Sequence, residues 1–174
     1  METDLEFIFK RRSIRKFQEI GVEPDKIELL LKAAMAAPTA MNYQPWEFVV
    51  ITEKERIEKV KSALTFANSN APLVICVCGN LKGLKQLVKE RFWVQDCSAA
   101  TENILLAAKA LGMGSVWCGV HPISMYVKKI SEILELPSGV IPLNALFIGY
   151  PAEEKEARTQ YKPEKVHFQK FGSK

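Results

Sequence analysis

The chain has 174 residues, 48% of them apolar and 25% charged, with a net charge of +4. That is enough apolar mass to bury a core without disulfide staples, and too mild a charge to demand nucleic acid or a membrane surface as partner. No uninterrupted apolar stretch reaches the ~18 residues of a bilayer-spanning helix, and residues 1–10 lack the apolar centre of a secretory leader. A cytoplasmic protein folding as a single domain over residues 1–174 is expected.

In chain order, Thr3 and Glu6 form a capping box, and Leu5, Ile8 and Phe9 follow at helical spacing, so a short helix should end in a basic cluster. Pro24 suits the first turn of a second helix, whose apolar stripe is Ile27, Leu30, Leu31, Ala34 and Met35 and whose stop is Pro38. Trp46–Ile51 has strand character. Thr52 and Glu55 form another capping box, opening a helix through Ile57, Val60 and Leu64. Residues 72–78 form the next strand, and residues 81–90 suggest a short helix weakened by Gly83.

Residues 92–111 make the longest helical stretch, Ala-rich and apolar around most of its circumference, as in a helix buried from several sides. Its small residues Ala99, Ala100, Ala107 and Ala108 permit close approach by another helix. Asp96 and Asn103 lie on one face and need partners if buried. Gly112 ends this helix, residues 114–120 give a strand, and Ser124 caps a helix carrying Val127, Ile130 and Leu134 that stops near Pro137. Residues 141–150 are the last strand. Strands and helices do not alternate strictly, so the class is α+β. Residues 151–174 form a polar, extended tail that nevertheless keeps Tyr161, Val166, Phe168 and Phe171, which suggests packing on its own domain or on a partner subunit.

Four cysteines, Cys76, Cys78, Cys97 and Cys118, include no CxxC pair, and small core residues account for them better than a metal site. Two segments carry potential chemistry. Lys10-Arg11-Arg12-Ser13-Ile14-Arg15-Lys16 holds five bases and a hydroxyl, a set that suits bidentate phosphate recognition or a solvated basic face. The loop Pro38-Thr39-Ala40-Met41-Asn42-Tyr43-Gln44-Pro45-Trp46 is stiffened by two prolines and offers amides and a hydroxyl to the polar edge of a planar heterocycle, or is simply a well-made turn. Gly112-Met113-Gly114 is not a dinucleotide fingerprint, His121 has no triad context, and no phosphate loop or paired carboxylates stand out. Any chemistry falls to a bound cofactor, and no catalytic side chain is nominated.

Arg11 to Arg15, Pro38 to Trp46, Gly112-Met113-Gly114-Ser115-Val116-Trp117 and Gly149-Tyr150-Pro151 together resemble the nitroreductase family of flavin enzymes, in order and spacing over almost the whole chain. The resemblance implies an α+β fold with a central, mostly antiparallel sheet flanked by helices, and an intertwined homodimer with FMN at two interface sites. It also implies a ping-pong transfer of reducing equivalents from NADH or NADPH to a small acceptor such as a nitroaromatic or a quinone. By motif, Arg11, Arg12, Ser13 and Arg15 would hold the phosphate and ribityl region. Pro38, Thr39, Ala40 and Asn42 would reach the flavin from the other subunit. Trp117, Cys118 and Gly119 would lie near the ring, and Arg158 would be a late phosphate-binding base. Residues 152–174 would be an arm on the partner. Ala40 stands where a serine is common, Gln160 stands where a second base is frequent, and the helical excursion of broad-range members is missing near mid-chain. A flavin-binding sensor or carrier without turnover is the alternative function. A nucleic-acid binder built on residues 10–16 would need a steeper charge and an aromatic platform.

Overall fold

The computed structural model describes residues 5–83 and 86–173. Nine regular elements follow one another: α1 (Glu6–Lys10), α2 (Pro24–Met35), β1 (Trp46–Ile51), α3 (Lys54–Ala63), β2 (Leu73–Asn80), α4 (Gln86–Ala110), β3 (Gly114–Gly119), α5 (Ser124–Ile133) and β4 (Val140–Gly149). Two 3₁₀ turns, Ala40–Asn42 and Pro163–Lys165, complete the described secondary structure.

The strands form one sheet in the order β1-β2-β4-β3, each neighbouring pair antiparallel. β2 and β4 are central, so both of their faces are covered and their sequences are apolar without alternation. The side chains still alternate in space. Val74, Cys76 and Cys78 of β2 face one layer, while Leu73, Ile75 and Val77 face the other. The first layer contains Ile57 and Val60 of α3 with Tyr126 and Ile130 of α5. The second contains Leu30 and Ala34 of α2 with Cys97, Ala100, Ile104 and Ala108 of α4. The molecule is therefore a helix–sheet–helix sandwich, with α4 packed between the sheet and α2. Its alanines admit the close approach that their spacing suggests, and Gly112, at φ +76°, makes the left-handed turn that ends it.

Several boundaries differ from the sequence expectation. Residues from Gln86 onward belong to α4 rather than to a separate short helix. Neither Thr52 nor Ser124 caps a helix: the residues before the first turns are Glu53 and Ile123, with no side-chain cap at either end. Side-chain burial fixes these starts instead, through Ile57 and Val60 in α3 and Tyr126 and Ile130 in α5. Thr3 of the first capping box lies outside the described residues. Met35 stands half exposed at the edge of its stripe, 52% accessible.

The basic segment runs along the free edge of β3. The Ile14 N–H donates to the Ser115 carbonyl at 3.0 Å, and Ile14 and Phe17 point into the core. The covered edge is thereby protected from pairing with another chain. Gly114 makes this seating possible, because a Cβ there would lie 2.8 Å from the Cβ of Ile14.

Candidate functional site

The root of the tail retraces the basic segment in one antiparallel register. The Gln18 N–H donates to the Tyr150 carbonyl at 2.9 Å and the Ala152 N–H to the Lys16 carbonyl at 2.9 Å. The Arg15 N–H donates to the Glu153 carboxylate at 2.6 Å, and Lys155 Nζ to the Ser13 carbonyl at 2.5 Å. The Arg12 guanidinium reaches the Glu156 carbonyl. The Arg158 N–H then meets the Phe9 carbonyl at 3.1 Å. Residues 152–158 are thus held by their own chain. Beyond them Tyr161, Phe168 and Phe171 are exposed, Phe171 at 91%.

This pairing builds a cavity of about 410 Å³ whose walls include Lys10, Arg11, Arg12, Lys109 and Lys155, together with Glu153 and Glu154. Three of the cations are already engaged: Lys10 with Glu6 at 2.5 Å, Arg11 with Glu102 at 3.7 Å and Lys155 with Glu153 at 3.2 Å. The Arg15 N–H, with help from Lys155 and the Lys16 N–H, holds the Glu153 carboxyl below its ordinary range, so it stays ionised. The cations still outnumber the acids, which favours an anion in the cavity.

Arg15 turns away from Arg11 and Arg12. It borders a second hollow of about 190 Å³ with Phe66, Trp117, Cys118, Gly119 and Tyr126. Trp117 is 37% exposed there, and the Thr65 and Tyr126 hydroxyls are 2.5 Å apart beside it. Burial pushes the Cys118 thiol up, partly opposed by Arg15, so the sulfur is a neutral wall rather than a nucleophile. Desolvation pushes Cys78 and Cys97 to about 12, which leaves them inert.

Of the residues singled out from the sequence, Arg11 and Arg12 therefore share one cavity, and Arg15, Trp117, Cys118 and Gly119 share the other. Ser13 is bridged to Ser115 between them. Arg158 sits beside Ala157, which lines the first cavity. The loop carrying Pro38, Thr39, Ala40 and Asn42 borders neither. It packs against α4, where the Ala40 N–H donates to Asp96 at 2.9 Å. From Asp96 to Lys109, which borders the cation-rich cavity, α4 runs about 20 Å at 1.5 Å per residue. His121 has a structural place: its ring meets Trp93 edge-on at 4.9 Å, and its N–H donates to the Leu143 carbonyl at 3.0 Å.

Lys109, Glu153 and Lys155 have no motif of their own in the sequence. The only hint is their charge near the tail's start and the end of a long helix. Phe66, in the turn after α3, and Tyr126, in the first turn of α5, meet at the second hollow, which no spacing along the chain reveals.

Comparison with known proteins identifies the family of the chain. The model of the nitroreductase family matches residues 8–69 and 65–150. A protein of Archaeoglobus fulgidus, provisionally named NADH dehydrogenase/NAD(P)H nitroreductase, is 43% identical over 98% of this chain and 100% of its own length. The structure of an FMN-dependent nitroreductase from Clostridium difficile R20291 superposes with a TM-score of 0.86 at 35% identity, over 95% of this chain and 98% of that one. A provisionally assigned nitroreductase from Desulfovibrio desulfuricans, solved in complex with FMN, gives a TM-score of 0.75 at 28% identity, over 91% and 93%. The chain belongs to the nitroreductase family.

Proposed function

We propose that the protein is an FMN-dependent oxidoreductase that draws reducing equivalents from NADH or NADPH and reduces a small acceptor such as a nitroaromatic or a quinone. The observation that carries this reading is the cation-rich cavity built where the tail root pairs with residues 12–18, next to the hollow of Arg15, Trp117, Cys118 and Gly119. A phosphate suits the first, because Arg11 and Arg12 present guanidinium forks and Lys10, Lys109 and Lys155 add point charges. A planar ring suits the second, where Trp117 offers an aromatic surface and Arg15 a donor for a polar edge.

Bound FMN would supply the chemistry, as a two-electron carrier between the nicotinamide and the acceptor. The chain's own residues bind, orient and shield. Arg11, Arg12 and Arg158 hold the phosphate end. Ser13 keeps its backbone on Ser115. The Arg15 guanidinium and the Gly119 amide meet negative charge at the ring's polar edge. Thr39, Ala40 and Asn42 act on the site of a second copy, since their loop stands far along α4 from the cavity of their own chain. The working protein is then a homodimer, with residues 159–173 as the arm that covers the partner with Tyr161, Val166, Phe168 and Phe171.

Among the described residues no helix is long and apolar enough to cross a membrane. Mixing the FMN-loaded protein anaerobically with NADH and with NADPH tests the reading. Bleaching of the flavin band by either donor, and its return on adding a quinone, is expected. A flavin that neither donor reduces would leave a carrier or sensor in its place.

A further inference from the structure

Asp96 lies in the middle of α4 and is only 6% exposed. Its neighbours on the same helical face, Phe92, Trp93, Ala99 and Ala100, are small or apolar, and an alanine would pack there without desolvation cost. A carboxylate at such a place stays only if it is bonded. Burial pushes its carboxyl up, and the Ala40 N–H, 2.9 Å from Oδ1, pulls it part of the way back.

Ala40 opens the tightest part of the loop. Met41, Asn42 and Gln44 all lie in the left-handed region, at φ 52°, 56° and 48°. Such conformations cost side-chain-bearing residues about 1–3 kcal/mol each and persist only where surroundings impose them. The bonds within the loop are local: the Asn42 N–H to the Thr39 carbonyl and the Tyr43 N–H to the Ala40 carbonyl, both at 3.1 Å, and the Gln44 N–H to Thr39 Oγ1, also at 3.1 Å. Among the described residues, Asp96 is the side chain that ties this turn to another element. Asn103, two turns further along the same face, donates to the Ala33 carbonyl at 2.9 Å and so fixes the end of α2 that feeds the loop.

We propose that Asp96 is a positioning residue for cofactor binding: by accepting the Ala40 N–H it imposes the turn at residues 41–44, left-handed at Met41, Asn42 and Gln44, and so sets where Thr39 and Asn42 stand in the partner's site. This rests on the FMN reading above. The anchor lies on the most deeply packed helix, so the loop inherits the rigidity of the core. The acceptor must be an oxygen at that depth, and asparagine supplies one without the charge.

The test compares Asp96→Ala, Asp96→Asn and Ala40→Pro, the last removing the donor from the loop side after an already extended Thr39. Two readouts are taken on the full chain: amide exchange of residues 39–44 without FMN, and FMN dissociation constants by fluorescence. Asp96→Ala and Ala40→Pro should speed exchange across the loop and weaken FMN about tenfold, as loss of one charge-assisted bond implies. Asp96→Asn should restore both nearly to the original. Unchanged exchange in Asp96→Ala, or equal FMN loss in Asp96→Asn and Asp96→Ala, would overturn the proposal, as would a fall in melting temperature alone. Faster loop exchange with no FMN binding by any form, the original chain included, would overturn both the cofactor assignment and the positioning role that rests on it; FMN binding by the original chain with an unaltered constant in Asp96→Ala would overturn the positioning role alone.

Discussion

At the scale of single residues, three contacts decide whether the basic segment holds its shape. Ile14 seats against Gly114, where a Cβ would approach to 2.8 Å. Gly114→Ala should therefore push Ile14 and its flanking arginines off the β3 edge. Overpacking of this kind costs about 1–3 kcal/mol, so thermal melting should fall by several degrees and FMN should bind more weakly. Glu153 is the second contact. The Arg15 and Lys16 amides and Lys155 favour its charged form in the folded chain, so its folded pKa lies below the unfolded one. The stability it contributes is present above the unfolded value and is lost as pH falls through the folded one. Melting curves of Glu153→Gln and the original chain should differ at neutral pH and converge on acidification; parallel curves would show that the carboxylate does not matter. Arg15 is the third. It borders the hollow of Trp117 and Cys118, whereas Lys16 is not among that hollow's walls and lines a separate surface depression with Arg15, Lys61 and Asn68. Arg15→Ala should weaken FMN by about 1.5–3 kcal/mol and Lys16→Ala by far less, measured by flavin titration.

At the scale of elements, the tail divides at about Arg158. Its root is stapled to residues 9–18 by backbone and side-chain bonds, while its end leaves Tyr161, Phe168 and Phe171 in solvent. Burying each of those side chains on a partner is worth roughly 1.5–3 kcal/mol. Truncation after Arg158 should loosen the proposed dimer and leave the cation-rich cavity standing, while truncation after Glu153 should destroy both, as sedimentation and FMN titration will show. Most of the elements were legible in the sequence because burial writes periodicity into it. The strand at Trp46–Ile51 and the helix from Pro24 to Met35 begin and end where the pattern says. The caps differ from the sequence expectation because Thr52 and Ser124 have the right chemistry one or two residues from where packing starts the helices. The two arginine-bearing cavities were only half legible. Arg11, Arg12 and Arg15 stand out as a cluster, but their division between two hollows follows from the register of a tail that pairs more than a hundred residues away.

At the scale of the whole molecule, a sheet buried on both faces fixes two distant groups of residues on one rigid body. The cation-rich cavity lies at the C-terminal end of α4 and the Asp96-anchored loop about 20 Å back along it. On the function proposed above, each supplies part of a cofactor site. Two copies, related so that the loop of one meets the hollow of the other, would complete two sites at once, which is the economy of a symmetric dimer. The most direct measurement is FMN binding stoichiometry, taken together with mass in solution. The account predicts saturable binding of one FMN per chain by a species of twice the chain's mass, with binding lost when the dimer is diluted apart. A monomer that binds FMN fully, or a chain that binds none at any concentration, would contradict it.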